Sequence, residues 1–393
     1  LDEWMTKRRI LKWLAGLSGL CVILLFAAAL LLPRVLDSQA AKDKTRAFLS
    51  TWTNGNVAIE KIDLTWFPRP ALAARGASLA VADKVSGKIQ SIEIYPSILG
   101  LLMGHLDISR VEVVSPAVAV RLPESAEEPF DIDEIEGQIR SILAAFAAEI
   151  PGMVLTARGG SAEIRIGDRP PVVIIDFDGR VMTPPGEMNL QFSSRANIFD
   201  SLRVEARIAG DTLATKGRIN IEHLRLRESM AALLPRPPGY VESGDVNLDL
   251  GLTAVGLKKI KAEIDGALPS LGLVRGNAKT VIEASRFKAM ITRDEGIVNA
   301  VIERLDLVSP RLTAAGELTV DQALSSVRLK LVGRELDVFE VRESALKIAR
   351  DIGVVEDLFR HVKGGQMPEI SFQASGPLAD SKALAMSGVA RLR

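Results

Sequence analysis

Alternation of apolar and polar residues with a period of two dominates the chain from Met153 onward. Ala162, Ile164 and Ile166 alternate with Glu163 and Arg165. Leu202, Val204, Ala206 and Ile208 alternate with Arg203, Glu205 and Arg207. The same pattern recurs at Val246, Leu248, Leu250 and Leu252, and at Val327, Leu329 and Leu331, with Asn247, Asp249, Arg328 and Lys330 between them. Successive side chains of a strand point to opposite faces, so each run predicts a strand with one apolar face and one wet face. Glycine and proline punctuate the runs at Pro184-Pro185-Gly186, from Pro235 to Gly239 and at Pro269. Nearer the N-terminus, strand patterns cover residues 57–66, 71–81, 88–94, 106–113 and 117–122.

A helical period appears in only a few places. Residues 35–52 carry Leu36, Ala40, Phe48 and Trp52 as their less polar positions, and Asn54-Gly55-Asn56 ends the run. Residues 97–104 have room for one or two turns. Over 130–150, Ile135, Ile139, Ile142 and Phe146 share one face. Asp131 followed by Glu134 fits a capping box, and Pro151-Gly152 terminates that helix. A longer helix is predicted over 338–362, where Ala345, Ile348, Ile352, Val355, Phe359 and Val362 share a face. Its simplest role is to cover part of the apolar sheet; the other is a lid or interfacial element.

Residues 13–32 follow neither period. They are uncharged and apolar all round, with Lys7, Arg8, Arg9 and Lys12 just before them. Twenty helical residues span ~30 Å, the thickness of a bilayer's hydrocarbon core. The run is therefore read as a transmembrane anchor built on Trp13, Leu14, Leu20, Ile23, Leu24, Leu25, Phe26, Leu30, Leu31 and Leu32. The basic residues in front keep the N-terminus cytoplasmic and send the rest of the chain across. A cleaved signal peptide is the alternative, with Ser38-Gln39-Ala40 as the cleavage site, although its apolar core is ordinarily shorter. The chain starts at Leu1 and ends in strand-like alternation at Ala390 to Arg393, which reads as a segment of a longer protein.

Composition narrows the partners. The 393 residues carry 49 Lys and Arg against 49 Asp and Glu, which argues against a nucleic-acid partner needing a basic face. The single cysteine, Cys21, lies in the anchor, so the chain has neither an internal disulfide nor a cysteine metal site.

The pattern also sets a physical problem. About sixteen strand candidates present a large apolar face, and few helices are available to cover it. A sheet hides such a face by packing on a second sheet, by closing into a barrel, or by curling into a trough that something else fills. At ~4.8 Å per strand, sixteen strands form a ribbon on the order of 75 Å long, and a strand of about seven residues spans ~23 Å, enough to arch over a lipid tail.

Residues 54–122 carry a further signal. Asn54-Gly55-Asn56-Val57 leads into Ile62-Asp63-Leu64-Thr65-Trp66-Phe67-Pro68-Arg69-Pro70. Then follow Ile89 to Ile94, Leu99 to Gly104, Leu106-Asp107-Ile108, Val111-Glu112-Val113 and Ser115-Pro116-Ala117-Val118. In this order, behind an N-terminal anchor, these segments resemble the N-terminal region of AsmA-family envelope proteins. Over 153–393 the resemblance is general, as at Leu312 to Leu318. It implies a Gram-negative inner-membrane anchor, a periplasmic β-groove akin to chorein-type bridges, and phospholipid passage towards the outer membrane. Trp66 and Phe67 fit either the headgroup level at the groove mouth or a packing site against the 35–52 helix. Pro68 and Pro70 mark a strand end or edge.

Candidate chemistry is sparse. His105, His223 and His361 are far apart and lack metal-ligand spacing, and no nucleotide loop or nucleophile elbow occurs in the required context. Asp176 and Asp178 alternate with Ile175 and Phe177 on a strand, which puts them towards solvent, with no second converging group for acid–base work. Asp131, Asp133, Glu134 and Glu136 read as the acidic start of a helix, with calcium binding as the lesser alternative.

The expected fold is mainly β with a few helices: a transmembrane helix followed by an elongated, curled antiparallel β-sheet groove. Residues 1–34 form the cytoplasmic stub and anchor, 35–125 an AsmA-like helix and β region, 126–152 an amphipathic helical connector, and 153–393 the β-groove with its helix at 338–362. Positions assigned to lipid contact are Ile62, Leu64, Trp66, Ile92, Ile94, Val111, Val113, Ile164, Ile166, Val204, Ala206, Ile208, Val246, Leu248, Leu250, Val327, Leu329 and Leu331. The expected function is non-enzymatic phospholipid transport without a cofactor, from the inner membrane, with other envelope proteins as partners at the groove ends. The alternative is an envelope scaffold or outer-membrane protein assembly factor.

Overall fold

The computed structural model describes residues 56–58, 60–65, 69, 71–81, 85–97, 108–122, 136–137, 152–210, 212–234, 240–256, 258–321, 323–349, 359–361, 363–377 and 384–391. The expected anchor at 13–32, the helix at 35–52, Trp66, Phe67 and His105 lie outside these residues. So does all of the 130–150 helix except Glu136 and Gly137, which are helical. Among the described residues, no helix is long and apolar enough to cross a membrane. The described chain is mainly β, and it divides into two compact units, residues 1–118 and 119–393.

In the first unit, β1 (Asn56–Ala58) and β2 (Lys61–Thr65) pair with the same edge of β3 (Ala71–Val81), and β4 (Val85–Pro96) pairs with the other edge. The single strand expected over 57–66 is thus two short ones. Ile62, Ala74 and Ala77 form a small core with Leu72, Ile89 and Ile92. β5 (Ile108–Leu122), whose last four residues belong to the second unit, is continuous where two strands were expected. Ser115 takes φ 47 just before Pro116, and the strand continues through the Ser-Pro step.

The second unit is an antiparallel meander in which each strand pairs with the next. Its members are β6 (Val154–Ile166), β7 (Val172–Met182), β8 (Glu187–Ala196), β9 (Phe199–Ala209), β10 (Ala214–Arg225), β11 (Val241–Val255) and β12 (Lys259–Arg275). β13 (Ala278–Asp294), β14 (Ile297–Ser309), β15 (Leu312–Asp321), β16 (Ser326–Asp337), β17 (Gln366–Pro377) and β18 (Ala385–Arg391) continue it. The ladder is interrupted by register shifts, which add local twist; Asp176, at φ 50, sits in the shift between β7 and β8.

Two helices of eight or more described residues belong to this unit. α1 (Leu226–Leu233) follows β10 directly, and α2 (Val338–Ala349) follows β16. α1 was not legible in the sequence, because Leu224 and Leu226 continue the strand alternation up to its start. Ser229 Oγ donates to the Arg225 carbonyl at 2.6 Å, and Arg169 Nη1 donates to the Leu233 carbonyl at 2.8 Å, holding the helix end. α2 begins where Asp337 Oδ1 accepts the Phe339 and Glu340 amides at 3.0 and 3.2 Å, an ordinary N-cap. α2 covers the first part of the helix expected over 338–362; residues 359–361 are also helical.

Candidate functional site

The candidate site is the apolar face of the β6–β18 sheet. Its extent follows from register. Opposite residues in an antiparallel ladder lie on the same face, so pairings can be followed across the sheet. One such row runs Ala157, Gly179, Phe192, Val204, Ile219, Leu250, Ile264, Ala289, Ile302, Gly316, Leu331, Phe372 and Gly388. The next runs Leu155, Val181, Leu190, Ala206, Gly217, Leu252, Ala262, Ile291, Ala300, Leu318, Leu329, Ala374 and Met386. Neither row contains a polar side chain. At ~4.8 Å per strand they extend for on the order of 60 Å.

These rows are not a dry core. Ile302 is 38% exposed and Leu331 41%, and no large side chain among the described residues is fully buried. The buried clusters lie elsewhere. Val172, Ala196, Ile198, Phe199 and Ala232 of α1 form one, with Ile164, Leu202 and Ile221 against it. Leu336, Val338 and Met367 form another, with Val341 of α2 and Ile370 packed on it. Both helices therefore sit on the apolar face, and both follow even-numbered strands, which run in the same direction. They cover the same end of the strands, and neither of their clusters includes a residue of the two central rows.

The floor of this surface is levelled by glycines. A Cβ on Gly266 would stand 2.3 Å from the Phe287 ring, one on Gly160 2.2 Å from the Phe177 ring, and one on Gly316 2.7 Å from Leu331. Each large side chain lies flat across its cross-strand glycine instead of standing up from the sheet. Aromatic residues therefore do occur on a face that the sequence marked as aliphatic. Phe192 and Phe372 add to them, with the Phe177 and Phe192 rings 5.9 Å apart.

The opposite face is charged and internally paired. Arg218 Nε donates to Asp249 at 2.8 Å and Arg218 Nη2 completes a bidentate pair. This fork holds the Asp249 carboxyl below the usual range and raises the Arg218 guanidinium. Lys261 pairs with Glu263 at 2.8 Å, and Arg334 with Glu369 at 3.3 Å. Two depressions of about 500 and 350 Å³ lie mainly on this face, one near Arg180, Arg203 and Glu205, the other near Glu317, Arg328 and Lys330. Both are lined by charges of mixed sign. Asp176 pairs with Arg195, and Asp178 accepts the Gly159 amide at 3.0 Å, so both carboxylates are exposed and occupied. His223 and His361 are exposed, and no metal-binding cluster occurs among the described residues.

Most positions marked in the sequence fall on these faces. Val204, Ala206, Leu250, Leu329 and Leu331 lie in the two central rows; Ile208 and Val327 lie in the row next to the turns, and Leu248 in the row next to the helices. Ile164 lies beneath the α1 cluster, Ile166 is half-buried two residues on, and Val246 is buried beyond the β10 bulge. In the first unit, Ile62, Ala74 and Ile92 form one row, and Leu64, Leu72 and Ile94 the next. Val111 and Val113 alternate with Arg110 and Glu112, which pair at 3.0 Å. Ile219, Ile264, Ala289, Ile302 and Phe372 were missed singly, although Ile260, Ala262 and Ile264 alternate with Lys261 and Glu263. No protein-family model matches the chain, and no curated protein or solved structure matches it significantly.

Proposed function

We propose that the apolar face of the β6–β18 sheet receives lipid acyl chains and that the protein conducts phospholipids along it. The observation that carries this reading is the pair of thirteen-residue rows without a polar side chain, in which Ile291, Ile302, Leu318, Leu331 and Met386 are exposed. Monomeric proteins seldom leave so long an apolar surface without a ligand or partner. Burying a methylene is worth ~0.8 kcal/mol, and a row of even height keeps that term nearly constant as a chain slides. Lipid motion then needs no chemical step. The order of segments over 54–122, with its resemblance to AsmA-family proteins, supports an inner-membrane-anchored periplasmic conduit towards the outer membrane.

The test is lipid extraction and native mass spectrometry of the full chain purified in detergent. Copurifying phospholipid that is lost on Val204→Asp supports the conduit. A folded, lipid-free protein that takes up no added phospholipid rejects it. The other reading is an envelope scaffold, favoured by the self-paired charges of the opposite face; it predicts a partner protein bound there and no lipid.

A further inference from the structure

We infer that Arg293 is a headgroup-binding residue and that it fixes the lipid's orientation, with the phosphate at the end of the strands opposite α1 and α2. This rests on the lipid reading of the apolar face. Arg293 lies in the row next to the turns, between Ile260 of β12 and Val298 of β14. From β8 to β17 this row, the two central rows and the row through Leu202, Ile221 and Phe287 contain no other charged residue. Its Nε is buried without a hydrogen-bond partner, and among the described residues no carboxylate pairs with it. The neighbouring Asp294 is engaged on the opposite face by Lys259 at 3.5 Å. Among the described residues nothing supplies that acceptor, and an oxygen of a bound ligand would satisfy it.

Position within the fold selects the acceptor. α1 and α2 cover one end of the strands, so a tail lying on the central rows leads its headgroup towards the opposite end, where Arg293 stands. A planar guanidinium offers two parallel donors that match phosphate oxygens. The ligand class is therefore a diacyl lipid with a phosphate headgroup.

The experiment uses the full chain in detergent, presented with vesicles containing a fluorescent phosphatidylglycerol or a diacylglycerol bearing the same tails. The wild type is expected to take up the phospholipid about tenfold better, as one charge-assisted interaction allows. Arg293→Leu should lose that preference yet keep diacylglycerol uptake, which also reports that the variant is folded, and Arg293→Lys should recover part of it. An undiminished preference in Arg293→Leu overturns the role of Arg293 alone. Uptake of neither lipid by the wild type overturns the lipid reading of the whole face, and this inference with it. Displacement of the phospholipid by equimolar inorganic phosphate would reassign Arg293 to a free-anion site.

Discussion

Phe287 lies across Gly266, its cross-strand partner, so closely that a Cβ on the glycine would stand 2.3 Å from Cζ of the ring. The ring therefore occupies the space a side chain would need. Gly266→Ala must lift the ring off the sheet and is expected to destabilise the protein by about 1–3 kcal/mol. At Gly251, where an added Cβ meets nothing within 4 Å, the same change should be neutral or slightly stabilising. Chemical denaturation of the two variants checks the contrast.

Ile302 tests the open face. It is 38% exposed, so Ile302→Asp creates no buried charge and should leave the far-ultraviolet circular dichroism unchanged. Lipid uptake should fall severalfold, because a carboxylate then interrupts a row of hydrocarbon contacts. Glu205→Gln, on the charged face, should leave uptake unchanged. A vesicle-based uptake assay reads both.

Ala232 tests the covered end. It is 2% exposed, between α1 and the sheet. Ala232→Asp puts an unpaired carboxylate into that cluster and should cost about 3 kcal/mol or more, or detach the helix. Hydrogen exchange should show lost protection at Leu226–Leu233, with β14 to β16 spared.

The Arg218–Asp249 fork makes a pH prediction. Asp249 is held below its ordinary carboxylate range, so the unfolded chain binds its proton first as pH falls. The stabilisation is complete above the ordinary carboxylate value and is lost as pH drops through the depressed one. The pair is solvent-exposed, so the effect is small and should shrink with added salt. Asp249→Asn should remove this part of the acid-side slope in denaturation curves and leave neutral stability nearly unchanged.

Strand identity and facing were legible wherever alternation was strict. Val204, Leu250 and Leu329 were assigned to the apolar side from the sequence, and register places them in the two central rows. The continuity of β5 through Ser115 and the helix at Leu226–Leu233 were not legible. A positive φ before proline breaks no alternation, and Leu224 and Leu226 keep a period of two up to the helix start.

The sequence by itself determined that this is a strand-rich chain with an apolar surplus, because a period of two is written into every residue pair of a strand. Only the tertiary structure decided which residues meet across the ladder. The shifts that set register, the rings that settle over Gly266 and Gly160, and the isolation of Arg293 among hydrocarbon all depend on partners across the ladder, on neighbouring strands, which no local pattern encodes.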